Sequence, residues 1–261
     1  MVLDKITMEK KQTKGCIYYT DLRPKWFILD YCRETLKKNC PHKIVSVSLH
    51  KPVDLGENIC ITDRERSYPT MIYQIVTALE KLDTDIVFFL EHDVLYHPSH
   101  FDFTPPRDDI YYYNINNYRW HIKEDFAITY GGLHSLSALC CNRKLALKHF
   151  RARLDWVEEQ GMDKVRSREP RWGRVFGYEP GTKKKRKGGF SDEDFETWRS
   201  ELPNVDIRHR HCFSNPKTHK EDFKHVPEDF TEVKAVDIPY WDIFKLHNDW
   251  IKNYLKQLDK W

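Results

Sequence analysis

The segment TDIVFFLEHDVLYHPSHF, residues 84 to 101, runs from Ile86 to Leu90 without a polar residue and then meets Glu91, His92 and Asp93 before apolar side chains resume. A continuous rather than alternating apolar run of this length reads as a strand covered on both faces, which is the habit of parallel sheets packed between helices. Upstream, Met71, Ile72, Ile75, Val76, Leu79 and Leu82 recur at helical spacing after Ser67, Tyr68 and Pro69, so one face of a helix is buried, and Pro69 suits its first turn.

Further back, CIYYT (16 to 20) and KIVSVSL (43 to 49) read as strands, and KWFILDYCRETLKKN between them as a helix with Trp26, Leu29, Cys32 or Arg33, and Leu36 at its spacing. A polar loop is expected from His50 to Asn58. The order strand, helix, strand, helix, strand predicts an α/β doubly wound sheet, mostly parallel and flanked by helices. In the second half, DIYYYNI (109 to 115), SLSALCC (135 to 141) and VDIRHRHCF (205 to 213) read as strands. Residues 143 to 160 read as a helix, 161 to 190 as a long basic loop, and Ser191 to Ser200 as a short helix. The tail from Tyr240 is a helix that docks on the domain. The division expected is a polar leader (1 to 14), one catalytic domain (15 to 239, with halves 15 to 100 and 101 to 239) and a C-terminal helix (240 to 261).

At 261 residues the chain can bury a large core, and 32% charged with 40% apolar residues excludes a disordered chain. No apolar stretch approaches the roughly 20 residues that span a bilayer, and the N-terminus lacks an apolar signal segment, so a cytoplasmic location without a membrane partner is expected. The cysteines number seven, form no CxxC pair and sit mostly in apolar segments, which reads as reduced structural thiols.

In an extended segment side chains alternate, so Glu91 and Asp93 share one side and His92 takes the other. Two carboxylates together repel unless a cation lies beside them. Hard oxygen ligands suit Mg²⁺ or Mn²⁺, which take one or two protein carboxylates and complete their shells with phosphate oxygens and water. The plain alternative is a pair of solvated acids at a strand end with His92 hydrogen-bonded locally, and the triplet alone leaves both open.

CIYYTD, KIVSVSL, YPTMIYQIVTALEKL and DIVFFLEHDVLY, in that order, resemble the GT-A glycosyltransferases over residues 15 to 142. In that family a Rossmann-like half ends its fourth strand in an acidic DxD motif holding a divalent cation and the diphosphate of a nucleotide sugar. The chain departs from the pattern by placing Glu91 first. The resemblance implies Asp93 as metal ligand with Glu91 as ligand, ribose contact or outer partner, and a UDP-sugar as donor. It also implies Thr20 and Asp21 at the base and ribose, with Arg64, Arg66, Ser67 and His92 as further donor-site candidates. A late histidine completing the metal site falls on His209, with His211 next.

An inverting transferase needs a carboxylate base. Glu179, in the irregular GYEPG, is the first candidate and Asp194 the second, since Ser191 to Asp194 fits a capping box that explains Asp194 structurally. Acceptor-side candidates are Trp120, Gly131, Gly132 and His134, with Trp172, Lys184 and Lys185 of the basic stretch that includes KKKRK (183 to 187). A basic surface interleaved with aromatics attracts polyanions, which raises DNA carrying a hydroxymethylated base as an acceptor beside a carbohydrate or small molecule. From a different class, a non-catalytic nucleic-acid-binding protein on the same scaffold would use the basic loop and bind no nucleotide sugar. A metal-dependent phosphohydrolase would need clustered Asp and His ligands or a Walker motif, which the sequence does not offer.

Overall fold

The computed structural model describes residues 12–121, 124–161, 175–177, 179–182, 194–209, 211–212, 217 and 219–258. The first half runs β1 (Lys14–Thr20), α1 (Trp26–Asn39), β2 (Lys43–Leu49), β3 (Glu57–Ile61), α2 (Tyr68–Lys81) and β4 (Ile86–Glu91). The second half runs β5 (Val94–Leu95), β6 (Tyr111–Asn114), β7 (Asn117–His121), β8 (Phe126–Thr129), β9 (Leu139–Asn142) and α3 (Arg143–Gln160). It continues with β10 (Phe195–Trp198), β11 (Asn204–Arg208), β12 (Thr231–Lys234) and α4 (Ile243–Leu258).

Seven strands form the main sheet in the order β10-β6-β9-β4-β1-β2-β3. The pairs β1 with β2, β1 with β4, β2 with β3 and β6 with β10 are parallel, while β9 runs antiparallel to both β4 and β6. The expected α/β class with a mixed, mostly parallel sheet is therefore what the chain adopts. The apolar run of β4 behaves as its pattern demands. Val87 and Phe89 enter the core under α2 and α3, and Phe88 and Leu90 enter the opposite one beside Leu36 of α1, all fully buried. Each such side chain contributes roughly 1.5–3 kcal/mol of burial, which pins the strand end in place.

A second sheet, order β12-β8-β7-β11-β5, packs on a third core in which α1 meets α4 through Phe27, Ile28, Trp120, Leu246 and Trp250. The strands β3, β7, β8 and β12 fall where the sequence pattern predicts none. They are short and partly exposed, and their partners supply the stabilisation that composition does not show. In α1 the buried stripe is Phe27, Ile28, Leu29, Cys32 and Leu36, while Trp26 is 52% exposed rather than part of it. The expected strand at 135 to 141 begins as a 3-10 turn (Leu136–Ala138) and becomes extended only at Leu139. Where a helix is expected at Ser191 to Ser200, Phe195–Trp198 pairs in parallel with β6, and Trp198 stacks on Phe103. An open sheet edge and an aromatic partner outweigh the local capping pattern.

Candidate active site

The strand order reverses between β1 and β4, and in open α/β sheets the crevice beyond the carboxyl ends of the strands at that point is where ligands bind. Here the two ends deliver Thr20 and Glu91. The chain then turns at His92 and Asp93 and enters β5, which belongs to the second sheet. The acidic triplet is thus the corner by which the chain passes from one sheet to the other. Val94 pairs with Asp206 of β11, and the Ile207 N–H donates to the Asp93 carbonyl at 2.9 Å. That pairing brings the residue after β11, His209, to Asp93: Nε2 lies 3.1 Å from Oδ2.

The turn cancels the strand alternation expected of the triplet. His92 sits with Asp93 instead of facing away, its Nε2 4.0 Å from Asp93 Oδ2, and its Nδ1 lies 2.9 Å from the Thr20 hydroxyl, which fixes the ring. His92, Asp93 and His209 each offer one ligand atom, all within 4.8 Å of one another, and among the described residues they are the cluster able to hold a metal ion. Glu91 lies outside it. Its carboxylate accepts from the Tyr19 hydroxyl at 2.7 Å, and its amide donates to the Tyr96 hydroxyl at 2.9 Å.

The electrostatics divide the two acids. Burial pushes the Asp93 carboxyl up, but His92, His209 and Arg208 outweigh it and hold it at about 2, so Asp93 is an anion. Burial and then the Asp93 charge push Glu91 up to about 8, against the Tyr19 hydrogen bond. Burial lowers His92, which keeps the imidazole neutral and able to ligate. One carboxylate and two imidazoles fit a divalent ion that accepts nitrogen, so the donor set suits Mn²⁺ better than Mg²⁺. The His211 amide donates to His209 Nδ1 at 3.2 Å, which leaves the Nε2 proton directed at Asp93. Ligation through Nε2 would place that proton on Nδ1, at the expense of the hydrogen bond from the His211 amide.

Glu179 is carried on a loop that two deep hydrogen bonds fasten. Arg153, buried on α3, donates to the Gly177 carbonyl at 3.1 Å, and the Tyr113 hydroxyl donates to the Pro180 carbonyl at 2.6 Å. The Thr182 hydroxyl closes the turn onto the Glu179 carbonyl at 2.7 Å. Burial pushes the Glu179 carboxyl up and Arg153 and Arg119 restrain it, leaving it at about 7. Tyr113, which holds Pro180, and Tyr19, which holds Glu91, belong to the same core, which sets Glu179 on the same side of the sheet as Glu91. Asp194 is exposed at the start of β10, where its carbonyl accepts from the Tyr111 amide, so the capping role expected of it gives way to strand pairing.

The remaining candidates separate. Asp21 lies beside Thr20, and Arg66 Nε donates to the Asp21 carbonyl at 3.1 Å, joining the start of α2 to the end of β1. Ser67 caps α2 by accepting from the Thr70 amide at 3.2 Å, and Arg64 lies 3.7 Å above the Tyr73 ring. Trp120, expected on the acceptor side, is fully buried, stacked on Trp250, and its indole N–H donates to the Glu124 carbonyl at 3.0 Å. It is a core residue, because β7 turns it into the third core. The Gly131 amide donates to the Asp229 carboxylate, and a Cβ there would come within 2.6 Å of that group, whereas Gly132 has room for one. His134 packs against Phe195 and Tyr113. Trp172, Lys184, Lys185 and the run 183–187 lie outside the described residues. Arg119, Asp206 and Arg208, clustered next to the site, were not singled out by sequence. The alternation of DIR in β11, which puts Asp206 and Arg208 on one side, is the signal that points to two of them.

No protein-family model matches the chain, and no curated protein matches it. Among solved structures it is similar to the apo-form glycosyltransferase GlyE of Streptococcus pneumoniae TIGR4, with a TM-score of 0.37 and 11% identity. The match covers 61% of this chain and 40% of that one, a degree of likeness that carries nothing about activity. Among the described residues no helix is long and apolar enough to cross a membrane.

Proposed function

We propose that the protein is a metal-dependent glycosyltransferase that moves a sugar from a nucleoside-diphosphate sugar, a UDP-sugar first among them, to a hydroxyl acceptor. The observation that carries this reading is the group His92, Asp93 and His209 at the reversal point of the sheet. It supports a divalent site where a diphosphate would enter. A cation bound there supplies charge neutralisation to the departing diphosphate.

Asp93 brings the fixed negative charge of that site, and Thr20 orients His92 within it. Thr20, Asp21 and Arg66 form the adjoining donor wall. Glu179 accepts the proton of the acceptor hydroxyl at its carboxylate, a role favoured by a carboxyl poised at about 7. Glu91, held by Tyr19, is an outer partner of the metal group rather than a ligand in this reading. The acceptor is a carbohydrate or small hydroxylated molecule. A hydroxymethylated base in DNA is the polyanionic version, supported by the sequence run KKKRK alone.

The test is a thermal-shift series with UDP, GDP and their sugars, each with and without Mn²⁺. A ligand bound only by the native state raises its stability by RT ln(1 + [L]/Kd). A Mn²⁺-dependent rise with a nucleotide is expected, and its absence across the whole series removes the transferase reading. Transfer assays comparing hydroxymethylated with unmodified DNA then decide the acceptor, and product from neither sets DNA aside.

A further inference from the structure

One carboxylate of the second sheet serves two guanidinium groups. Arg119 of β7 and Asp206 of β11 are direct register partners, and Arg119 Nε lies 3.7 Å from Asp206 Oδ2. Both Asp206 oxygens are also approached by Arg208 Nη1 at 3.3 Å. Asp206 and Arg208 are buried, and the Arg119 side chain keeps 15% of its surface. Two guanidinium groups remain charged at any working pH, and they face two carboxylates, Asp206 and the Asp93 anion that Arg208 helps to hold.

Arg119 carries five N–H donors. Among the described residues it makes one hydrogen bond, from Nη1 to the Tyr130 hydroxyl at 3.2 Å, and its buried Nε has no hydrogen-bond partner. Buried donors left without acceptors are costly, and a structure that keeps one in a partly open position leaves room for a ligand to satisfy it. The position fits a substrate contact. Arg119 pairs with Asp206, and Asp206 pairs with Val94, the residue that follows Asp93, so the pair sits one strand register from the metal group. A planar guanidinium fork with unused donors matches the oxygens of a phosphate group.

We propose that Arg119 is an anion-binding residue of this site that takes a phosphate group of the substrate, with Asp206 as the residue that positions it. The phosphate belongs either to the donor diphosphate or to an acceptor that carries one. This rests on the transferase reading for the identity of the substrate, though not for the anion site itself.

The experiment is isothermal titration of the full chain and its Arg119→Gln variant with two probes, UDP in the presence of Mn²⁺ and inorganic phosphate alone. Asp206 keeps Arg208 in the variant, so the fold is expected to persist, and Arg119→Met, which also removes the charge and the donors, provides the same comparison if glutamine does not fold. A loss of about tenfold or more in UDP affinity assigns the donor diphosphate, since charge-assisted hydrogen bonds are the strong ones. Unchanged UDP binding with phosphate binding lost assigns an acceptor phosphate. If the wild type binds phosphate but not UDP, and the variant loses it, the anion site stands and the transferase reading falls. Wild-type binding of either probe with no change in the variant overturns the assignment of Arg119, as does a wild type that binds neither.

Discussion

Replacing Glu91 by Gln separates the cost of a buried acid from the chemistry beside it. In the folded chain burial and the Asp93 charge raise the Glu91 carboxyl from 4.5 to about 8, while the unfolded chain leaves it near 4.5. Between those values the native state binds the extra proton, so stability is retained below pH 4.5 and declines as pH rises through 8. The interval is about 3.5 pH units, which at about 1.36 kcal/mol each gives roughly 5 kcal/mol. Glu91 keeps some solvent contact, and screening trims this to roughly 3 kcal/mol. Glutamine preserves the shape and still accepts from the Tyr19 hydroxyl without ionising. Urea unfolding in EDTA at pH 5, 7 and 9 should therefore show the two proteins alike at pH 5 and Glu91→Gln ahead by several kcal/mol at pH 9. A difference that does not vary with pH would mean that Glu91 ionises in the native state as readily as in the unfolded chain, with no burial cost.

Asp93→Asn and His209→Ala each remove a donor of the metal group, and both should abolish the Mn²⁺-dependent rise in melting temperature that the wild type shows, as read by differential scanning fluorimetry. Glu179→Gln should lower the transfer rate by about 10²–10⁴-fold and erase the limb of the pH–rate profile near pH 7, with donor affinity preserved. An unaltered profile would leave Glu179 without the role of base. Trp120→Ala, at a fully buried site stacked on Trp250, should cost about 3–5 kcal/mol in chemical unfolding. Trp120→Phe should leave nucleotide binding as it was, which a side chain touching the acceptor would also permit, so the unfolding measurement decides its place in the core.

Hydrophobic pattern is a local property, and what depended on it was legible in the chain. The apolar run from Ile86 to Leu90, the stripe of α2 and the periodicity of residues 143 to 160 placed β4, α2 and α3 and set the sheet class. The acidic triplet at the end of β4 and a late histidine were likewise visible as residue types. What those residues do together was not, because a turn at His92 and Asp93 rather than a continued strand decides which side chains meet. Alternation set Glu91 beside Asp93; the passage into β5 exchanges Glu91 for His92 and brings in His209 across 116 residues. Burial raises both acids, but His92, His209 and Arg208 hold Asp93 as an anion while Glu91, facing that charge, keeps its proton, a distinction that no sequence pattern encodes since both are carboxylates two residues apart. The short strands β7, β8 and β12 lay hidden for the same reason: their partners are distant in the chain, and pairing energy is not written in the composition of either strand. The apolar run alone settles which residues of β4 are buried and which charges follow them, whereas the charges that face a common space are chosen by the turn into β5 and its pairing with β11, contacts between residues far apart in the chain.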